Sequence, residues 1–454
     1  MGLSIIILAA GQGTRMRSAL PKVLQTLAGQ PLLGHVLNGS KKLQATDICI
    51  VYGYGGEAVR KAFQRESLRW VLQAEQLGTG HAMQQAMPGT LDENRVLVLF
   101  GDVPLLKSST LRRLLDETPD DDVAVLTVDI EDPTGYGRIV RQGNNVSCIV
   151  EEKDADAETR AIGEINTGVM VCPARKLKTW LDSLSNDNAQ GEYYLTDVIA
   201  MAVNDNVTVH GIKADSAVEV MGINDKKQLA EAERALQARL VDELMAEGVG
   251  FADPARVDIR GTLKCGNDVF IDINAVFEGD VTLGDGTTIE SNNLIRNSKL
   301  GPDTVIHSNC HIEDSVTGRN CEIGPFARLR PGAELADNVK VGNFVEIKKS
   351  TVANGSKVNH LTYIGDTDIG EYVNVGAGTI TCNYDGANKH KTVINDGAFI
   401  GSGVELVAPV IVGKGATIGA GSTITKSTPD DKLTLERAKQ FTVPGWQKPV
   451  KKGK

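Results

Sequence analysis

The sequence predicts two folds in one chain, a doubly wound α/β half followed by a left-handed parallel β-helix. Three observations predict this. Four apolar runs of strand length, SIIILAAG, DICIVYG, VLVLFGD and VAVLTVDI, alternate with stretches of helical period over residues 1–224. Residues 225–248 read as one long helix with its stop signal, which makes them a connector. From about residue 259 to about residue 424 an aliphatic or substitute residue returns about every six positions, so residues 249–454 form the second half. A chain of 454 residues is long enough for such a division.

In the first half the strands are almost continuously apolar. Strands buried on both faces read this way, so the sheet is expected to be parallel and Rossmann-like, with helices on both sides. LQTLAGQPLLGHVLNGSKKL, residues 24–43, has the helical period expected between two such strands. In the connector, Asp225 with Gln228 resembles a capping box. Leu229, Ala232, Leu236, Leu240 and Leu244 form one stripe, and Gly248 suits a left-handed stop. In the second half the repeat runs through Ile271, Phe277, Leu283, Ile289 and Ile295, continues through Ile347, Ile364 and Ile369, and returns at Ile394, Ile400 and Leu406. One residue in six points inward, so three repeats make one triangular coil. Glycines that follow several of them, Gly284, Gly342 and Gly376 among others, are expected to permit tight corners. Residues 381–392 break the period and are expected to leave the coil as a loop, the kind of insertion that often carries a binding face.

Composition narrows the function. Apolar residues make up 41% and charged residues 23%, which suits a globular core and excludes a disordered chain. The net charge of −10 argues against nucleic acid as a partner, though one local basic pocket suffices for a nucleotide. Seven scattered cysteines without a C-x-x-C pair suit neither a disulfide framework nor a zinc ribbon, and point to a reduced, cytoplasmic setting. The apolar run at residues 5–10 is too short to span a bilayer, lacks a basic leader, and no other stretch approaches transmembrane length. Ile6 breaks the myristoylation pattern that Gly2 would begin, and the basic tail from Lys448 reads as a solvated end.

The first candidate chemistry lies in LAAGQGTRM, residues 8–16, directly after a strand. Gly11 and Gly13 let backbone amides approach a phosphate, and Arg15 and Lys22 add positive charge. The spacing is neither that of a P-loop nor that of a dinucleotide fingerprint, which counts against an oxidoreductase. FGDVPL, residues 100–105, brings Asp102 out at the carboxyl edge of the sheet, where ligands sit. A carboxylate there either holds Mg²⁺ on a substrate phosphate or caps a turn. Asn224 reads equally well as a site residue or a helix N-cap.

The second lies in a dense polar cluster: RLRPGAE (328–334), NFVEIKKS (343–350), KVNHLTYIGD (357–366) and ITCNYDGANKHKT (380–392). Acyl transfer to an amine needs a base of near-neutral pKa, which histidine supplies. His307 and His311 have metal-pair spacing, but that spacing shares a face on a helix and not along repeat strands. His35 and His81 suit local hydrogen bonds. His360 lies among Lys348, Tyr363 and Asn374, and by itself is either a base or a structural histidine. Arg330 and Lys348 are either site residues or solvated charges.

Taken together, LAAGQGTRM and FGDVPL, with QAEQLGTGHA (73–82), DPTGYGRI (132–139), IVEEKDA (149–155), EINTGVM (164–170) and NAQGEYYLTDVI (188–199), resemble the sugar-1-phosphate nucleotidyltransferases. With the hexapeptide half included, the chain from about residue 3 to 452 resembles the bacterial bifunctional family that joins N-acetylglucosamine-1-phosphate uridylyltransferase to glucosamine-1-phosphate acetyltransferase. The resemblance implies that Leu8, Ala9, Ala10 and Gly11 line a uridine nucleotide, and that Arg15 and Lys22 serve phosphate transfer. It places Gln73, Gly78 and Thr79 on uracil, Phe100 and Gly101 beside Asp102, and Gly137, Glu151 and Asn166 on N-acetylglucosamine. Asp102 and Asn224 would hold Mg²⁺. In the second half it makes His360 the base for the amine of glucosamine 1-phosphate, with Arg330, Lys348, Tyr363 and Asn374 gripping sugar and phosphate. Asn383 and Tyr384 would lie near the acetyl group, and Ala377, Ser402, Ala420 and Arg437 would contact acetyl-CoA. It also implies a homotrimer with the acetyl site between neighbouring chains, and a product, UDP-N-acetylglucosamine, destined for peptidoglycan and lipopolysaccharide.

Three departures from the commonest family pattern stand out: Gln12 where a lysine is frequent, Phe100 where a tyrosine often precedes Gly-Asp, and Met221 where glutamate is usual. Losing the lysine removes charge from the triphosphate while the loop amides remain. Two other readings compete. Another sugar-1-phosphate nucleotidyltransferase with a structural or regulatory β-helix would lack the His360 cluster, and a non-catalytic scaffold would lack the set Arg15, Lys22, Asp102 and His360.

Overall fold

The computed structural model describes residues 2–451, and the chain divides into two compact units, Met1–Leu236 and Gln237–Lys454. In the first unit, nine strands form one sheet: β1 (Leu3–Ala9), β2 (Asp47–Tyr52), β3 (Arg69–Leu72), β4 (Arg95–Phe100), β5 (Val123–Asp129), β6 (Arg138–Gln142), β7 (Asn145–Val150), β8 (Glu164–Pro173) and β9 (Val209–Lys213). The order is β9-β5-β8-β4-β1-β2-β3, with β6 pairing β8 and β7. All four strands expected from apolar runs are present. β1 lies centrally between β2 and β4, parallel to both, with Ile5, Ile6 and Ile7 wholly buried. The expected parallel sheet is corrected at two strands, since β8 runs antiparallel to β4, β5 and β6, and β7 runs antiparallel to β6. The chain reaches β8 through the β6–β7 hairpin rather than through a crossover helix, and an antiparallel neighbour needs no long crossover.

Residues 24–43 also differ from expectation. Only α1 (Leu32–Lys41) is helical, because Thr26–Leu27 and Gln30–Pro31 pair as a small hairpin. Its turn residues, Ala28 at φ 48° and Gly29 at φ 76°, both take the left-handed conformation that two-residue hairpins demand. The unit also contains the helices α2 (Thr79–Ala86) and α3 (Ser108–Asp116).

The connector is α4 (Lys226–Ala246), and the division between units falls within it. Asp225 caps it, accepting the Gln228 N–H at 2.8 Å, and Gln228 Oε1 reaches back to the Asn224 N–H at 2.7 Å. Gly248 follows at φ 101°, as a left-handed stop requires. On the first unit's part of α4, Glu233 accepts the Ala28 N–H at 2.7 Å. On the second unit's part, buried Gln237 bonds both the N–H and the carbonyl of Ile259, at 2.7 and 2.8 Å.

The second unit is a parallel β-helix made of an 11-stranded and a 17-stranded sheet. Ile295 pairs with Ile312, and Leu329 with Ile347, so each coil holds three repeats. The inward residues are buried from Ile271 to Ile424 in one continuous core. Except for Gly324, which takes a left-handed φ of 103°, the glycines after them owe their place to a different cause from the one expected. Gly342 and Gly376 have no left-handed φ, but a Cβ on Gly342 would lie 2.0 Å from the Asn359 carbonyl oxygen, and one on Gly376 2.7 Å from the Gly401 backbone. Close stacking of coils therefore selects them. The left-handed corners are taken by residues a few places on, such as Asn292 at φ 60°, Asn309 at φ 65° and Gly378 at φ 73°. The loop expected at residues 381–392 emerges between strands Ile380–Cys382 and Thr392–Ile394. All seven cysteines are free. Among the described residues, no helix is long and apolar enough to cross a membrane. The basic tail is exposed from Lys448 to Lys451, and its last three residues lie outside the described ones.

Stacking makes the core intolerant of gaps. Ile347, 0% exposed, should when changed to Ala lower unfolding stability by about 2–5 kcal/mol in chemical denaturation. Ile380→Ala, at a position 43% exposed, should shift the same midpoint far less.

Candidate functional site

β1 and β4 end side by side, with Leu8 opposite Phe100, and the chain turns away from both at their carboxyl ends. There a cleft of about 260 Å³ opens, lined by Leu8, Ala9, Ala10, Gly11, Lys22, Gln73, Gly78, Thr79, Phe100 and Asp102. Every one of these was singled out from sequence. Val23, Gln76, Ala82 and Glu192 also line it and were not. Gly101 lies beneath the floor, where a Cβ would come within 3.2 Å of Ala9 and Val23.

One end of the cleft is held rigidly. Gly78 has φ 107°, and a Cβ there would stand 2.6 Å from the Tyr193 carbonyl oxygen, so this approach to α2 admits only glycine. The Gln73 amide donates to the Gly78 carbonyl at 3.0 Å, and the Thr79 hydroxyl accepts the Leu195 N–H at 3.2 Å. At the rim the Gln12 amide donates to Gln76 at 2.9 Å, and the Gln76 amide to the Ala10 carbonyl at 3.2 Å. A locked neutral side chain thus stands at the position where a lysine is frequent. Arg15 is not in the lining. It is exposed in the short turn Thr14–Met16, because Met16 takes the buried place in that turn.

Lys22 is the cation of the cleft. Its ammonium is ion-paired with Asp102 and donates to Asn224 Oδ1 at 3.1 Å. The Asn224 side chain faces Lys22, and the helix cap belongs to Asp225. A positive charge therefore already sits between a carboxylate and an amide oxygen, the hard donors that magnesium takes. Among the described residues, no group of three or more His, Cys, Asp or Glu side chains is placed to hold a metal. A magnesium ion would thus take few protein ligands here, its usual habit with phosphate substrates.

Gly137, Glu151 and Asn166 form a second group. The Asn166 N–H donates to the Gly137 carbonyl at 2.8 Å, and a Cβ on Gly137 would lie 3.5 Å from both Glu151 oxygens. Asn166 sits where the β5–β8 register slips, and its Oδ1 accepts the Gly168 N–H at 2.9 Å. Phe100 lies against Gly168, since a Cβ there would meet its ring at 2.5 Å. Glu151 accepts the Thr196 hydroxyl at 3.0 Å. Burial pushes its pKa above the ordinary glutamate value, helped by the carboxylates of Asp197, Asp154 and Glu192, while Thr196 opposes the rise.

In the β-helix, His360 stands exposed at the end of strand Lys357–His360, not inside the prism. Its Nδ1 is 3.1 Å from Asn343 Oδ1, one coil below. An amide oxygen accepts only, so this assignment puts the proton on Nδ1 and leaves the Nε2 lone pair free. Lys348 and Tyr363 lie on paired strands of the 17-stranded sheet, and Arg330 and Asn383 directly follow its strands Arg328–Leu329 and Ile380–Cys382. Tyr363 hydroxyl and Asn383 amide nitrogen both lie over Gly365, within 2.9 Å of where its Cβ would be. Arg330 pairs with Glu346 at 2.7 Å. Lys348 has its pKa lowered, first by Lys389 from the interrupting loop, then by desolvation and Arg330. His360 and Asn374 lie instead on the 11-stranded sheet, Asn374 in a ladder with Lys357 and Phe399. Ala377, Ser402, Ala420 and Arg437 follow one another up a single corner: Gly403 bonds Ala377, Gly421 bonds Ser402, and Gly421 faces Arg437. Tyr384 is exposed on the loop, its hydroxyl donating to the Gly386 carbonyl at 2.6 Å.

A family model of MobA-like NTP transferase domains matches residues 5–188, and one of bacterial transferase hexapeptide repeats matches residues 263–297, 314–349 and 391–426. The bifunctional protein GlmU of Aromatoleum aromaticum is 55% identical over 451 residues, 99% of each chain. That of Idiomarina loihiensis is 55% identical over 453 residues, covering 100% of this chain and 99% of its own. That of Acinetobacter baumannii is 52% identical over 451 residues, 99% of each. The chain belongs to the bifunctional GlmU family. Membership gives each half of the chain a partner in kind, a nucleotidyltransferase domain and a hexapeptide-repeat transferase domain.

Sequence reading missed Lys389 and Gln76, although Gln76 lies in a motif that carried the resemblance and Lys389 in the polar cluster at residues 380–392. Their signal was proximity to a second group, which exists only after folding. The strained cleft end yields a test. Gly78→Ala should lower the baseline melting temperature and also remove the further rise that UTP gives the parent chain, as thermal melts with and without UTP would show.

Proposed function

We propose that the chain makes UDP-N-acetylglucosamine at two separate centres: it acetylates glucosamine 1-phosphate from acetyl-CoA, then joins the N-acetylglucosamine 1-phosphate to UTP and releases pyrophosphate. One observation carries the reading. Each half holds its own accessible constellation, Lys22 with Asp102 and Asn224 in a cleft, and His360 with a free Nε2 on the prism surface.

At the first centre the rigid end formed by Gln73, Gly78 and Thr79 takes the uracil, and Leu8 to Gly11 flank the nucleotide. Backbone amides after β1 and the Lys22 ammonium meet phosphate. Asp102 and Asn224 would hold Mg²⁺, which when bound neutralises triphosphate charge and favours departure of pyrophosphate. Glu151 and Asn166, with Gly137, grip the sugar so that a phosphate oxygen attacks the α-phosphorus in line. Phe100, Gly101 and Ala9 shape the floor. Arg15, exposed beside the lining, would add positive charge near the phosphates.

At the second centre His360 Nε2 accepts a proton from the amine. The amine nitrogen then bonds the thioester carbonyl carbon, the C–S bond breaks, and coenzyme A leaves as thiol once protonated. Arg330 and Lys348 meet the sugar phosphate, with Tyr363 and Asn374 on hydroxyls. The crowding of Lys389 against Lys348 is relieved by an anion between them. Asn383 and Tyr384 flank the acetyl group, and Ala377, Ser402, Ala420 and Arg437 form the edge for coenzyme A. These residues stand on two faces and a corner of one prism, which supports completion by neighbouring chains in a homotrimer. The small soluble substrates and the free thiols favour a cytoplasmic setting, with UDP-N-acetylglucosamine feeding peptidoglycan and lipopolysaccharide.

His360→Ala should remove acetyl transfer and spare uridylylation of supplied N-acetylglucosamine 1-phosphate, and Asp102→Ala should do the reverse. Loss of both activities in either folded variant would refute independent centres. The raised pKa of Glu151 has a kinetic consequence. The group must be ionised to accept sugar hydroxyls, so kcat/KM for the sugar phosphate should fall as pH drops through a value above the ordinary glutamate range. Glu151→Gln should raise KM for the sugar phosphate and erase that acid limb.

A further inference from the structure

Glu219 lies in the short turn Ala217–Val220 and is 3% exposed. Its Oε1 accepts the Lys107 N–H at 2.9 Å, across 112 residues of sequence. Its Oε2 is buried and meets no donor among the described residues. Burying a carboxylate with half its accepting capacity unused is unfavourable. Its location supplies the compensation. Lys107 is the N-cap residue of α3, which has no side-chain cap of its own and no acidic residue in its first turn. The carboxylate thus replaces the missing cap and meets the positive end of the helix.

The same segment has a second tie. The Ile223 N–H donates to the Asp102 carbonyl at 2.9 Å, with Ile223 itself buried. Residues 219 to 224 are therefore fastened to residues 102 to 107 at two points. The oxygens of Asp102 and Asn224, which face Lys22 together, stand at one end of this double tie.

We propose that Glu219 is a positioning residue of the uridylyl centre: its carboxylate clamps the segment that carries Asn224 to the amino end of α3, and so sets the spacing between the Asn224 and Asp102 oxygens. The inference rests on the reading that these two oxygens take a divalent cation. Glu219→Asp keeps the charge and shortens the reach, Glu219→Ala removes the acceptor, and Glu219→Gln keeps an oxygen that can accept from Lys107.

The test is calorimetric binding of UTP to the full chain over a magnesium titration, with melting curves confirming that each variant is folded. The Asp and Ala variants should need roughly tenfold more Mg²⁺ or beyond for half-maximal UTP binding, in the range that supporting residues around metal ligands commonly show. UTP binding in EDTA and His360-dependent acetyl transfer should be unchanged, and the Gln variant should restore most of the magnesium response. A merely structural role would lower melting temperature without moving the magnesium midpoint. If the Ala variant fails to fold, the Asp variant decides. A folded Asp variant with the parental magnesium midpoint overturns the clamp. Asp102→Ala in the same titration separates the two ideas. If it shifts the midpoint while the Glu219 variants do not, only the clamp falls, and if it too leaves the midpoint in place, the cation reading falls with it.

Discussion

Both halves of this chain depend on one constraint: backbone polar groups inside a stack of strands must be paired by neighbouring strands, so chemistry is left to the places where strands end or turn. In the first unit β1 is paired along both edges, and the chain leaves it at its carboxyl end beside a cleft that Gly11 and Lys22 line. In the second unit each coil pairs with the one above and below, so His360, Ala377 and Ser402 occupy strand ends and corners.

Electrostatics follow from that placement. Segments arriving from three distant parts of the chain converge at the β4 end, bringing both Asp102 and Asn224 against Lys22. The Lys22–Asp102 pair is tolerated there because both side chains are only partly withdrawn from water. Glu151 shows the opposite case, a carboxylate among other carboxylates whose ionisation is disfavoured by burial. In the second unit Lys389 holds the pKa of Lys348 below its ordinary value, with desolvation and Arg330 adding to the effect.

The departures from the commonest family pattern also acquire physical content. Gln12 is engaged with Gln76, so the rim is neutral but ordered. Phe100 packs its ring over Gly168, a contact that needs the aromatic face and makes no use of a hydroxyl. Nothing in the structure explains Met221.

Much of the fold was readable from residue order. The six-residue period named the inward side chains of the coils, because a stacked prism repeats the same environment at every sixth position. Four apolar runs located four strands, and the strand-end rule pointed to the place where a cleft opens, at Leu8 to Gly11 and Asp102. Period could not reveal β8's direction, the hairpin inside residues 24–43, or the outward turn of Arg15, since each was settled by a neighbour distant in sequence. The same holds for the reason glycine follows the inward residues: sequence suggests a flexible corner, while the adjacent coil imposes a ban on any Cβ. Local pattern is legible because backbone geometry repeats. Convergence of Lys22 with Asn224, of Lys348 with Lys389, and of Glu219 with α3 is not, because it is set by packing among segments that no period connects.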